Sequence, residues 1–513
     1  MKRAEAAVVA EKMDIGKILV HLPDTHLALS PQSEGGNYDG TDSPEATNYW
    51  CSFQDVSFSV IGSDYPERAA AIVEKINAIG EVTLTDECKA KIDAARLAYD
   101  EAPVGVKNLI TADQLKVLTD AEAAYETLLF AQIETAIEKR TVDGKEYYVL
   151  KTADELVWFA KLVNGLQSGG WDARQETANA LLDADITFNE NVLDADGNLT
   201  KQAGWRQWTP IGGYTWISGT GFGATRNTAL YKGIFDGQGH TISGLVMTTA
   251  WSGDAGLFGS APGATVKNVK VKDSYLSGGN VGGIVGSGSK ATIENVSYQG
   301  QICANMYAAG IIAYTSSATV RNASFTGTLV TKDSTNAYTG GIMGLGSGTV
   351  EDCAVDATLE AGCNVGGIVG GYNNLTVRRC SFRGSAVSSL ESAAGIVGES
   401  NDNVTIEDCY STGNLTAAGR AAGITQGDSE SNTVRNCYAL GTLQAPETFG
   451  IASKAESLDG PSYCLDVNAS TATGNTITKT ATEFRGGTVA WLLGKAFGQK
   501  LGVDASPVLS DGT

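Results

Sequence analysis

Gly282-Gly283-Ile284-Val285-Gly286 returns unchanged as Gly366-Gly367-Ile368-Val369-Gly370. Its kernel, a glycine followed by Leu or Ile, stands at Gly256, Gly283, Gly310, Gly341, Gly367, Gly395, Gly423 and Gly450. The steps between neighbours are 27, 27, 31, 26, 28, 28 and 27 residues. A second phrase keeps the same pace: Thr265-Val-Lys-Asn-Val, Thr292-Ile-Glu-Asn-Val, Thr319-Val-Arg-Asn-Ala, Thr349-Val-Glu-Asp-Cys, Thr376-Val-Arg-Arg-Cys, Thr405-Ile-Glu-Asp-Cys and Thr433-Val-Arg-Asn-Cys. Two phrases locked to one period of this size mark a solenoid.

Working outward, each repeat holds short runs such as Thr265 to Val271, in which apolar and polar residues alternate. That alternation belongs to half-buried strands, and the Gly, Ser, Asn and Asp between the runs belong to turns. No helical period fits between them. About three short strands per repeat make one coil of a parallel β-helix, each coil one strand spacing, roughly 4.8 Å, above the last. The glycines let backbone approach backbone at a tight corner, with the Ile or Leu between them turned inward. The fold expected is mainly β, a parallel β-helix of about eight coils. Cys353, Cys380, Cys409 and Cys437 share one position of the repeat, held earlier by Val269, Val296 and Ala323. Thiols that replace small apolar residues pack inward, whereas a zinc site needs ligands clustered at close spacing. Disulfides between adjacent coils stay open as an alternative.

Tyr231-Lys-Gly-Ile-Phe-Asp-Gly-Gln-Gly-His-Thr-Ile-Ser-Gly-Leu245, followed by Ala255-Gly-Leu-Phe-Gly259 and the Gly-Gly-Ile-Val-Gly series, resembles the GLUG-motif repeats of bacterial surface proteins. Such repeats also occur beside IgA-peptidase-like and adhesin regions. The resemblance covers about half the chain and implies a right-handed β-solenoid on a secreted or cell-surface protein. It implies no reaction.

The rest of the chain falls into four pieces. Residues 1–63 carry two strand-like runs, at Ile18-Leu-Val20 and Val56 to Val60, and are otherwise poorly defined. Residues 64–140 lose glycine and gain Ala, Glu and Lys, with Ile72, Ile76 and Ile79, then Ile92, Ala95 and Tyr99, then Leu115, Leu118, Tyr125 and Leu129 at helical spacing. Pro66 suits a helix start and Thr85 or Asp86 a cap, so a three-helix bundle is expected. It resembles the helical spacer modules of Gram-positive surface proteins. Residues 141–204 form the lead-in and N-terminal cap of the solenoid, which itself spans 205–453. Thr152-Ala-Asp-Glu155 is a capping box that starts a helix with Leu156, Phe159, Ala160 and Val163, expected to cover the exposed strand edge. Residues 454–513 form the C-terminal cap, a short helix that turns Phe484, Val489 and Leu492 inward, followed by a terminal segment opening at Phe497.

Composition narrows the function. A net charge of -21 argues against nucleic acid and anionic membranes as partners. No apolar run reaches transmembrane length. Met1-Lys-Arg-Ala-Glu-Ala leads into no apolar signal region, so an extracellular or cell-surface location implies that this chain is part of a longer exported protein. The histidines are His21, His26 and His240 alone, and no His-Glu-x-x-His is present. Asp194, Asp196 and Asn198 set oxygen at alternate positions, as calcium loops do, but the EF-hand order is not kept and a turn is the simpler reading. Asp236 and His240 are the strongest catalytic temptation, in a phrase whose Asp-Gly and Gly-His equally suit turns. No catalytic, metal or cofactor site is therefore assigned. The expected role is non-enzymatic: a monomeric, adhesin-like or structural solenoid that presents a rigid face to a host or bacterial glycan or glycoprotein, with Trp205, Trp208, Tyr214, Trp216 and Trp251 as contacts. The alternative is a polysaccharide lyase or glycoside hydrolase, which needs a cleft lined by carboxylates and basic groups from successive coils. A passive stalk is the third reading.

Overall fold

The computed structural model describes residues 17–21, 57–61, 64–165, 174–200, 204–218, 225–248, 253–332, 336–427, 429–454, 458–467 and 476–510. The chain divides into two compact units, Met1–Gln132 and Ile133–Thr513.

In the first unit, strands Lys17–His21 and Ser57–Ile61 pair antiparallel. Helices Tyr65–Asn77, Asp86–Asp100 and Val104–Lys107 follow, and helix Ala112–Ala136 begins here. Pro66 lies in the first turn of its helix, where a missing N–H costs nothing. Thr85 accepts from the Cys88 amide at 3.2 Å as the cap of the next. Ile72, Ile76, Ile92, Val106 and Leu118 share one buried core. Arg96 grips Glu122 with two hydrogen bonds of 2.7 and 2.6 Å, tying the second long helix to the last.

The second unit is mainly β and is a β-solenoid of about ten turns. One ladder shows the climb. Tyr148, Ala180, Phe235, Val266, Ile293, Val320, Val350, Val377, Ile406 and Val434 pair in parallel, each with the next. The eight glycine phrases account for eight of these rungs. The other two, in strands Lys145–Leu150 and Asn179–Leu182, precede the first phrase, so the segment expected to be a lead-in is already solenoid. The sequence reads strands at both places, from Tyr147 and from Asn179, but does not count them as rungs, because a helix, Ala153–Asn164, replaces the rest of that turn.

The N-terminal backbone edge is covered by strand Lys139–Val142, antiparallel to the first rung, and not by the helix expected there. That strand is exposed throughout and carries Lys139 and Arg140, which discourages further pairing. The helix keeps its capping box of Thr152 and Glu155. It plugs the interior instead: Phe159 meets Tyr231 edge-on at 6.2 Å, and Tyr231 stacks on Phe258 at 5.0 Å. At the other end Phe484, Val489, Leu493 and Phe497 pack beneath Tyr410, Tyr438 and Tyr463. Leu492, expected inward, is exposed, and Leu493 takes its place. Gly487, at φ +81°, splits the segment into two short helices, so the helical period does not run from Phe484 to Leu492.

The inward residues of the glycine phrase, Leu257 and seven isoleucines ending in Ile451, are all fully buried. At Gly367 an added Cβ would sit 2.1 Å from the Gly395 carbonyl oxygen and 2.3 Å from the Phe382 ring. The cysteine column is buried too. Its thiols stand free, each near the carbonyl two residues back, as in Cys380 to Arg378 at 3.1 Å. Burial pushes the Cys353 and Cys409 thiols well above their ordinary range.

Candidate functional site

Each turn bends at two recurrent corners. The first follows the Thr-Val ladder. Asn268, Asn295, Asn322, Asp352, Arg379, Asp408 and Asn436 all take positive φ, between 47 and 57°, a conformation that Asn and Asp tolerate best among residues with side chains. Their side chains form a ladder: Asn295 donates to Asn268 and Asn322 to Asn295, each at 3.0 Å. The amide run ends at Asp352, which pairs with Arg379 of the next turn at 2.6 Å. Just before this corner the register stacks Asp236, Lys267, Glu294, Arg321, Glu351, Arg378, Glu407 and Arg435. The sign alternates at every step. Ion pairs run along the column, with Arg321 to Glu351 at 3.1 Å and Arg435 to Glu407 at 2.8 Å.

Asp236 belongs to this column. Its carboxylate accepts from the Gln238 amide, Asn268 and Lys267, and those donors, offsetting its burial, hold its pKa below the usual carboxylate value. His240 pairs instead with Asp185, Nδ1 to Oδ1 at 3.2 Å. The two residues thus take separate partners, both at turns. Asp194 Oδ1 accepts the backbone amides of Asp196 and Asn198 at 3.0 and 2.8 Å, an Asx-type turn that uses the oxygen a cation would need. Of the aromatic contacts expected, Trp208 is buried, edge-on to Phe188 at 5.5 Å, with its indole N–H bound to the Gly256 carbonyl at 3.0 Å. It closes the first coils and offers no surface. Trp205 is half-buried. Tyr214 and Trp216 lie in strand Gly213–Ser218, and Trp251 lies outside the described residues. Among the described residues no three His, Cys, Asp or Glu side chains converge on a metal-sized site.

The second corner is the glycine phrase itself, and here a groove opens. On one side the register stacks Tyr307, Tyr338 and Asn364, then Arg420 and Glu447 after Ser392. On the other it stacks Tyr314, Leu345, Gly371 and Glu399. The two columns meet outside the bend. Tyr307 stacks on Tyr314 at 5.6 Å. Tyr338 donates to Glu399 Oε2 at 2.6 Å, and Asn364 to the same oxygen at 2.8 Å. Burial and that carboxylate push the Tyr338 hydroxyl far above its ordinary value, so it stays a neutral donor. Farther along the axis the groove widens to about 1090 Å³, lined by Glu391, Glu399, Asp402, Glu430, Arg420 and Lys454, with Tyr372 and Leu390. Tyr372 and Leu390 are 44% and 46% exposed. Tyr372 sits at φ +134°, a strained position for a residue with a side chain. Cys363 donates to Glu391 at 2.9 Å. Its thiol is pushed up to about 12 by burial and that carboxylate.

One residue of this groove departs from the small side chains of the repeat. The phrase continues to Gly259, Gly286, Ala313, Gly344, Gly370, Gly398 and Ser453, and the pairing of Val397 with Thr425 puts Gln426 in that place. Gln426 is 3% exposed, and among the described residues neither its side-chain oxygen nor its nitrogen has a hydrogen-bond partner. An amide left so costs about 1–3 kcal/mol. The expectations drawn from the sequence missed this groove, although Ile424-Thr-Gln426 departs visibly from Ile396-Val-Gly398.

The fold and groove define a β-solenoid with a lateral channel at its glycine corner. No protein-family model matches the chain, and no curated protein matches it. A solved structure described as "IgA1 Protease" is similar at 12% identity and a TM-score of 0.36, over 64% of this chain and 23% of that one. This chain therefore spans less than a quarter of that protein's length, and nothing about activity transfers at such distance.

Proposed function

We propose that this chain is the ligand-presenting part of a surface or secreted protein of the GLUG-repeat kind, and that it binds a glycan along the groove at the glycine corner. The helices of 65–136 serve as a spacer. One observation carries the reading: consecutive turns bring exposed Tyr372, four carboxylates, two cations and several amides to one channel. Aromatic faces and convergent polar groups are what a sugar chain needs, and a rigid stack of turns holds them with little ordering cost on binding.

The same carboxylates and cations from successive turns are also what a glycan-cleaving enzyme on this scaffold would need, so one experiment addresses both readings. Purified chain is mixed with a panel of polysaccharides, and retention and new chain ends are measured together. Retention without new ends, weakened by Tyr372→Ala, supports binding. New reducing or unsaturated ends would replace the binding role with a lyase or hydrolase. Absence of retention and of cleavage across the panel would remove the glycan reading.

A further inference from the structure

From its first rung to its last, the charged column before the asparagine corner begins with an acid, ends with a base and alternates throughout. Turned end for end, it is its own complement. Asp236 then meets Arg435, Lys267 meets Glu407, Glu294 meets Arg378, and Arg321 meets Glu351. We infer that this face pairs with the same face of a second copy of the chain. The two copies run antiparallel, about a two-fold axis between the Arg321 and Glu351 rungs.

The face is open to solvent. The side chains of Arg321, Arg378 and Arg435 are 49, 40 and 43% exposed, and those of Lys267 and Glu294 are each 36% exposed. Two residues before the charges, seven threonines from Thr265 to Thr433 stack in register, all half-buried. The same axis sets threonine against threonine, and these small uncharged side chains let two strands approach. At the corner it sets Asn268 opposite Asp408, Asn295 opposite Arg379 and Asn322 opposite Asp352, so no like charges meet. The next strand is a control. Its column reads Lys270, Ser297, Ser324, Ala354, Ser381 and Tyr410, with no such order.

The wrong arrangements are rejected. A slip of one rung between antiparallel copies sets like against like in every pair, and so does a parallel pair in register. A parallel pair staggered by one rung is complementary, but that relation does not close on itself. Each charge already has a partner in its own column and is partly exposed, so every new pair adds little affinity. What the order supplies is register and discrimination. Eight rungs span about 34 Å. With the threonines and the corner, the contact covers on the order of 1,000 Å² over both copies, the lower edge of specific interfaces. The dimer is therefore weak and salt-sensitive. It departs from the monomer expected from the sequence. None of the column residues lines the groove, so the pairing is independent of the glycan reading.

The test is sedimentation of the full chain without sugar. A monomer–dimer equilibrium is expected, with a Kd on the order of 10–100 µM at low salt, weakened about tenfold or more in 1 M salt. Glu294→Arg and Arg378→Glu each put two like-charge pairs into the dimer and should each weaken it about tenfold or more. Within one chain these residues lie three rungs apart and do not meet. Mixed together, the two variants face each other with every pair opposite, so the mixture should associate as the parent does. Melting temperatures check that each variant is folded. Glu294→Gln and Arg378→Gln put no like-charge run into either column, and their mixture should likewise associate more tightly than either alone. A monomer at every concentration, or a dimer indifferent to salt, overturns the inference. So do single variants that dimerise like the parent, or a mixture no tighter than its components. Growth beyond the dimer would point to the staggered parallel contact and overturn the two-fold pairing.

Discussion

The two corners of each turn are built on opposite plans. At the asparagine corner every turn takes positive φ and each charge of the column faces its opposite, from Asp236 to Arg435. At the glycine corner the inner residue never varies in kind, but the flanking columns change from tyrosine to amide to charge, and Gln426 has no side-chain partner among the described residues. In-register stacking makes each column a one-dimensional chain whose members see mainly the turns above and below. A column that resolves its own charges and hydrogen bonds holds the stack together. One that does not leaves chemistry for something else to complete.

The sharpest way to break the comparison is to attack the part of the glycine corner that is purely structural. Gly367→Val puts a branched side chain where a Cβ already meets the Gly395 oxygen and the Phe382 ring. The expected loss is above about 4 kcal/mol, among the largest single-residue effects. Gly263, at φ +71° with open space around its missing Cβ, is the control. Gly263→Ala meets only backbone strain and costs about 1 kcal/mol. Hydrogen exchange mapped turn by turn is the measurement of choice, because long repeat arrays do not always unfold in one step. If Gly367→Val melts like the parent protein, the close approach at this corner is wrong.

The next test separates the corners by what they govern. Glu351 lies between Arg321 and Arg378, its side chain 15% exposed. Glu351→Arg would line up three cations and is expected to cost about 1–2 kcal/mol, more at low salt, since the arginines are partly exposed and screened. Glycan binding should be untouched. Glu399→Gln keeps an acceptor for Tyr338 and Asn364, so it is expected to change stability by less than about 1 kcal/mol while weakening the ligand. Chemical denaturation and calorimetry on both variants give the crossing pattern. Equal effects on stability and binding in the two would dissolve the distinction between the corners.

The division also explains what could be read from the sequence. The inner column was legible because burial demands one residue kind at a fixed period, as Ile284 through Ile451 show. The first two rungs were not, because Tyr148 and Ala180 sit in strands with no glycine phrase after them, and the Ala153–Asn164 helix interrupts the count. The alternating charges lay inside the quoted Thr-Val phrases, yet their meaning depends on which residue stands above which, and only register supplies that. The groove was hardest. Tyr372, Glu399 and Gln426 are far apart in sequence, and each taken alone resembles ordinary surface variation. The tryptophans near the first coil have the large aromatic faces that suit sugars, but Trp208 fills the core.

A smaller effect checks the cysteine column. Val269 and Val296 occupy its earlier positions, so Cys380→Val is close to a volume-conserving change and should cost less than about 1.5 kcal/mol. In the native protein a thiol reagent should label Cys380 and Cys409 only as fast as the stack opens. Rapid labelling under native conditions would mean that the column faces solvent.

The smallest effect concerns the seal at the C-terminal end. Glu483 is the third residue of helix Ala481–Arg485, and its side chain reaches back to the Thr480 amide. The hydrogen bond from Lys479, then those from Thr480, hold its pKa at about 2 against an ordinary 4.5. A carboxylate depressed on folding adds stability that is complete above the unfolded value and fades as pH falls through the folded one. Fraying of this helix should therefore begin below about pH 4.5 and be complete near pH 2, while the interior turns above it keep their protection. Side-chain carboxyl shifts of Glu483 followed by NMR across that range report the midpoint directly. A midpoint near 4.5 would show that the capping box is not formed in solution. The aromatic packing of Phe484 and Phe497 beneath Tyr438 would then be left to close the stack alone.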